Sequence, residues 1–145
     1  MPTIIYPFGT PTEITFPAAA LGTASGRIVP FNNAAPIIIT SGTVSITASA
    51  TVGNRIITVQ FVDTVTSKTV ARVASSVTQT AGTTGFYTMG AGLTPSGSLG
   101  VLSTILLPIP FALTLPAFSQ IQIFDSANID VADTSVGTIF AGYLA

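Results

Sequence analysis

The sequence has no cysteine, no histidine and no tryptophan, and its 145 residues include only four basic and five acidic side chains. Without cysteine there are no disulfides and no thiolate metal sites. Without histidine the commonest general base and the commonest metal ligand are both missing, which excludes a Ser-His-Asp hydrolase. No Gly-x-Ser-x-Gly elbow or Gly-Lys-Ser/Thr phosphate loop occurs, and Pro95 stands where a third glycine would complete a dinucleotide-like spacing after Gly90 and Gly92. The basic residues are Arg27, Arg55, Lys68 and Arg72. So sparse a set cannot neutralise many phosphates, so direct nucleic-acid binding is not expected.

The scarcity of charge is matched by an excess of apolar residues. Hydrophobic residues make up 48% and charged residues 6%, with a mean hydropathy of +0.71, against about 25% charged residues in an ordinary soluble domain. Either a membrane or permanent contact with other subunits must cover such a surface. The longest apolar stretch, Leu99 to Phe118, is interrupted by Pro108, Pro110 and Pro116. No membrane helix tolerates prolines at those spacings, so assembly is the expected explanation. Met1 to Gly9 carries no basic residue and contains Pro2 and Pro7, which does not read as a signal peptide.

Six of the ten prolines fall in the first 36 residues, without sustained periodicity. Residues 1–36 therefore read as an extended arm whose Ile4, Ile5, Tyr6, Phe8, Phe16 and Phe31 grip a partner surface, and residues 37–145 as the folded domain. From Ile37 the pattern alternates, with Val44, Ile46, Ala48, Ala50 and Val52 on one face and Thr43, Ser45, Thr47, Ser49 and Thr51 on the other. Gly53-Asn54 then predicts a tight hairpin into Arg55–Asp63. Further strands are expected at 69–77, 84–89, 101–107, 111–115, 120–124 and 136–143. Short β-branched strands separated by Gly, Pro, Ser and Asn predict an all-β, jelly-roll-like antiparallel β-sandwich. The Gly-rich stretch 90–100 is expected to cross from one sheet to the other.

Two clusters could carry chemistry. Asp125, Asp130 and Asp133, with Asn128, offer hard oxygen ligands for calcium, although their spacing is not that of an EF-hand. The same residues suit a solvated turn in which Asp and Asn satisfy local backbone donors. Paired aspartates could also serve a polysaccharide-degrading enzyme, but the aromatic platforms of a sugar cleft are lacking. Arg55, Lys68 and Arg72, with Asp63, read as a polar patch that protects a sheet edge or docks an acidic partner. No cofactor is expected.

The order of features, with Ala50-Thr-Val-Gly-Asn-Arg-Ile-Ile-Thr-Val-Gln-Phe-Val-Asp63, Val77-Thr-Gln-Thr-Ala-Gly-Thr-Thr84 and Leu107-Pro-Ile-Pro110, resembles small jelly-roll-like virion structural proteins of tailed bacteriophages, including capsid decoration or cement proteins. The resemblance implies a non-enzymatic homotrimer on the capsid exterior that binds across neighbouring major capsid proteins. A lectin-like module of the tail or fibre is the other role it implies. It carries no catalytic residues.

Overall fold

The computed structural model describes residues 10–21, 26–51, 53–93, 104–126 and 130–144, and among them there are ten strands and no helix. In chain order these are β1 (Thr10–Ala20), β2 (Arg27–Pro30), β3 (Ile37–Thr47), β4 (Ile57–Asp63), β5 (Lys68–Ala74), β6 (Thr84–Ala91), β7 (Thr104–Ile109), β8 (Leu113–Leu115), β9 (Ser119–Asp125) and β10 (Thr134–Tyr143). One sheet runs β1-β10-β3-β6-β7, with β8 also paired to β3, and the other runs β2-β9-β4-β5. Without β7 and β8, two four-stranded sheets remain, with the first and last of the described strands side by side and the chain passing repeatedly between the sheets. That is a jelly-roll β-sandwich. Pairing is antiparallel except between β6 and β7, which are parallel.

The period of two decides what is buried. Val44 and Ile46 of β3, Ile57, Val59 and Phe61 of β4, Tyr87 and Met89 of β6, and Ile121 and Ile123 of β9 all point between the sheets and form one core with Ile37, Ile105, Leu107 and Ile139. Gly137 lets β10 pass through the crowded middle of its sheet. A Cβ there would lie 2.4 Å from the Thr43 carbonyl oxygen and 2.7 Å from the Phe16 ring.

Three expectations are corrected. The sandwich does not begin at residue 37, because Thr10–Ala20 pairs with β10 and Arg27–Pro30 with β9. Pro11 and Pro17 are tolerated because β1 is an edge strand, where a missing donor costs no ladder bond, and the pairing shifts register just after Phe16. The segments around Gly53-Asn54 do not form a hairpin. β10 occupies one edge of β3, β6 and β8 occupy the other, and β4 lies in the opposite sheet. The chain flanking the Gly-rich stretch does not change sheets either, because β6 and β7 are neighbours in one sheet. Residues 94–100 of that stretch lie outside the described residues.

Candidate functional site

Four of the nine charged side chains, Arg55, Asp125, Asp130 and Asp133, are gathered at one end of the sandwich, where the connections β3–β4, β5–β6 and β9–β10 meet. Arg55 lies here at 1% exposure and Asp133 at 0%. The Arg55 backbone exchanges both hydrogen bonds with Gln79, at 2.8 Å each. Its Nε donates to Asp133 Oδ2 at 2.9 Å, and its Nη2 to Asp133 Oδ1 at 3.1 Å and to Ser49 Oγ at 3.1 Å. Nη1 donates to the Thr51 and Gly53 carbonyls, and Asp130 Oδ2 lies 3.5 Å from Nη2. The guanidinium is therefore fully engaged, and no buried side-chain polar atom among the described residues lacks a partner.

The carboxylates are equally committed. Asp133 Oδ1 accepts from the Ser49 amide at 2.7 Å, and Asp125 Oδ1 from the Ile56 amide at 2.8 Å. Asp130 accepts from the Ser49 hydroxyl and from the Ala132 amide. The hydrogen bond from Ser49 is the main cause that holds the Asp130 carboxyl down at about 2, and the bond to Asp133 raises Arg55 above its ordinary value. The expected calcium cluster is thus rearranged, because the cation held between Asp130 and Asp133 is the chain's own Arg55. Among the described residues no three His, Cys, Asp or Glu side chains converge on a metal-sized site. Asp133 is not in a solvated turn either, since burial has removed it from water. Asn128 lies outside the described residues.

The expected basic patch is divided. Arg55 belongs to this buried end, while Lys68 and Arg72 are on β5, the edge strand of the four-stranded sheet. There they suit the protection of an open edge. Arg72 also lies over the Phe124 ring at 5.2 Å. Asp63 accepts from the Thr66 hydroxyl at 2.6 Å and the Val65 amide at 2.9 Å, which lowers its pKa. Of the six residues assigned to a partner-gripping arm, Phe16 and Phe31 are instead in the core. Their alternation with the residues beside them carries them inward once β1 and the start of the β2–β3 link join the sheets. Ile4, Ile5, Tyr6 and Phe8 lie outside the described residues.

Several polar residues in the interior carry no motif and were not expected. Gln79 donates to the Ile46 and Thr83 carbonyls at 2.9 and 2.8 Å and accepts from the Tyr87 hydroxyl at 2.7 Å. Burial pushes the Tyr87 phenol up. Asn33 ties the opposite end by bonding Pro116, Ala35 and Ser119. Arg27 lies 4.8 Å over the Phe16 ring and donates to Ser135, bridging the two sheets. The signal for Arg55 was its isolation. A lone cation in so uncharged a stretch, with aspartates further along the chain, suggests an internal pair.

The two outer faces differ. On the four-stranded sheet Gln60 bonds Gln122, and these line a shallow polar cleft of about 310 Å³ with Gln120, Thr64, Ser67 and Thr69. On the larger sheet the register lines up Thr15, Thr138, Thr43 and Thr88 across four strands. The adjacent row is Val136, Ser45, Phe86 and Thr104. Phe86 is 43% exposed, and Val136 and Phe140 are each 41% exposed. Glu13 on edge strand β1 is the single charged side chain among the described residues on this face.

Fold and interior together define an all-β sandwich whose polar groups are spent holding its own ends and connections. No family model matches the chain, and no curated protein matches it. Among solved structures, a chain of infectious bursal disease virus, Gx strain, is similar over 97% of this chain, at 16% identity and a TM-score of 0.39. A chain of the T13 viral particle of the same virus is similar over 99%, at 14% identity and a TM-score of 0.41. This chain spans 37% and 36% of those two chains, little more than a third of each.

Proposed function

We propose that this protein is a structural subunit of a virus particle, a decoration or cement protein on the capsid exterior that binds across neighbouring major capsid proteins and packs against copies of itself. The observation that carries this reading is the outer face of the larger sheet, which displays threonines and three half-exposed apolar side chains with one marginal charge. A freely diffusing monomer is kept in solution by charge, and a surface of this kind gains by being covered. The jelly-roll fold and the sequence resemblance to phage virion proteins support the same role. Its mechanism is mass action. A subunit that binds only the assembled shell stabilises that shell, and many copies together multiply the effect.

The test is to remove the protein from particles with mild denaturant and measure the temperature at which the genome is released. A lower release temperature, restored by adding the protein back, is expected. An unchanged release temperature overturns the proposal. Copy number per particle gives a second check, because a shell subunit is present in hundreds and a tail component in a few.

A further inference from the structure

We infer that the outer face of the larger sheet is a self-recognition surface, on which a second copy of this chain docks face to face. This rests on the structural-subunit reading above and narrows it to one face and one partner.

The first argument is charge. Arg55, Asp125, Asp130 and Asp133 are gathered at one end, Lys68 and Arg72 lie on β5 of the other sheet, and Arg27 is turned inward over Phe16. The face that remains, from β1 through β10 and β3 to β6, has Glu13 at its margin and otherwise hydroxyl and apolar side chains. A highly charged partner would leave its own charges unpaired against this face. A copy of the face brings no charge but its own Glu13, at the β1 margin beside Phe140.

The second argument is shape. Thr15, Thr43, Ser45, Phe86, Thr88, Val136 and Thr138 surround a trough of about 470 Å³. Phe140, half-exposed on the same strand as Thr138 and pointing the same way, is a knob standing beside that hole. The two positions are about 7 Å apart along the strand, by the rise of two residues. A two-fold axis between them places each copy's Phe140 in the other's trough, an isologous arrangement.

The third is area. Four strands spaced about 4.8 Å apart and about seven residues long present roughly 450 Å² per copy before side-chain relief is counted. The pair therefore buries on the order of 1,000 Å², near the lower bound for a specific interface. Because a face that pairs with itself closes as a dimer, the self-contact is two-fold and not the three-fold implied by the sequence resemblance.

The test is sedimentation equilibrium of the full chain across the micromolar range. The wild type is expected to be a monomer–dimer mixture. Thr43→Lys, which places a charge in the trough at an exposed position, should weaken dimerisation about tenfold or more, and Phe140→Ser should also weaken it. Thr69→Lys, exposed on the opposite sheet, should leave it unchanged. Thermal unfolding of each variant verifies the fold. A monomer at all concentrations, a trimer, or a dimer indifferent to Thr43→Lys overturns the inference, and a monomer that still restores particle stability leaves the shell role standing without it. Conversely, a dimer that binds no particle sinks the shell role and keeps the interface.

Discussion

Replacing Arg55 by methionine tests the account of the charged end most directly. Methionine keeps much of the length of the side chain and removes the charge and every donor. Asp133, at 0% exposure, then holds a negative charge with only the Ser49 amide left beside it, and the Thr51 and Gly53 carbonyls lose the guanidinium donors. Removing one partner of a buried pair costs about 3–5 kcal/mol, chiefly because the other is left uncompensated. In a chain of this size 1 kcal/mol moves the midpoint by about 3 °C, so Arg55→Met should melt about 10–15 °C lower. Asp133→Asn should cost less, because Asp130 still faces the cation at 3.5 Å. The double variant removes both charges, and the asparagine side chain that replaces Asp133 still offers an oxygen to the Ser49 amide. It should therefore be more stable than the sum of the single effects predicts, with a coupling of about 2 kcal/mol. Urea denaturation of the four proteins measures this cycle. If Arg55→Met costs under about 1 kcal/mol, or if the two substitutions simply add, then the pair is not the buried staple described here.

The remaining predictions concern other residues. Asp130 is held at about 2 mainly by the Ser49 hydroxyl, below the ordinary carboxylate value of 3.8. Its contribution is therefore complete above the ordinary value and lost as pH falls from 3.8 toward 2, and Ser49→Ala should flatten that part of the acid unfolding curve. Gly137→Ala should destabilise by about 2 kcal/mol or more, since its Cβ meets backbone that cannot yield, and calorimetry would read the loss. Gln79→Leu should cost about 3 kcal/mol by stranding the Tyr87 hydroxyl and two carbonyls, and Tyr87→Phe in that background should recover part of it. Ala112 has φ +51 at the β7–β8 turn. Ala112→Gly should therefore raise stability by about 0.5–1 kcal/mol, measured by urea midpoint.

The sequence and the structure agree most closely where alternation is uninterrupted. Residues 84–89, 120–124 and 136–143 are found inside β6, β9 and β10, which extend only a residue or two further at either end. The all-β class and the sandwich were legible for the same reason. β1 was missed because proline abundance outweighed the alternation of Thr12, Ile14 and Phe16, and local sequence does not reveal that a strand will lie at an edge. The Gly53-Asn54 hairpin failed because strand pairing depends on which edges distant segments have already taken, and β10 and β6 had taken both edges of β3. The aspartates were recognised as a cluster, but their partner, Arg55, lies more than seventy residues earlier in the chain, beyond the reach of any spacing rule. Gln79 and Asn33 left no signal, since an amide reads the same in a loop as in a core.

The position of β10 has a consequence for how the protein is made. It follows the other nine described strands in the sequence, yet it lies between β1 and β3, two of the earliest. Until β10 has been made, β1 has no strand beside it, and β3 can be paired by β6 and β8 on one edge only, its other edge left with bare backbone donors and acceptors. Closure of the larger sheet therefore waits on β10, and any delay before that strand is made prolongs the interval in which nascent chains can stick to one another.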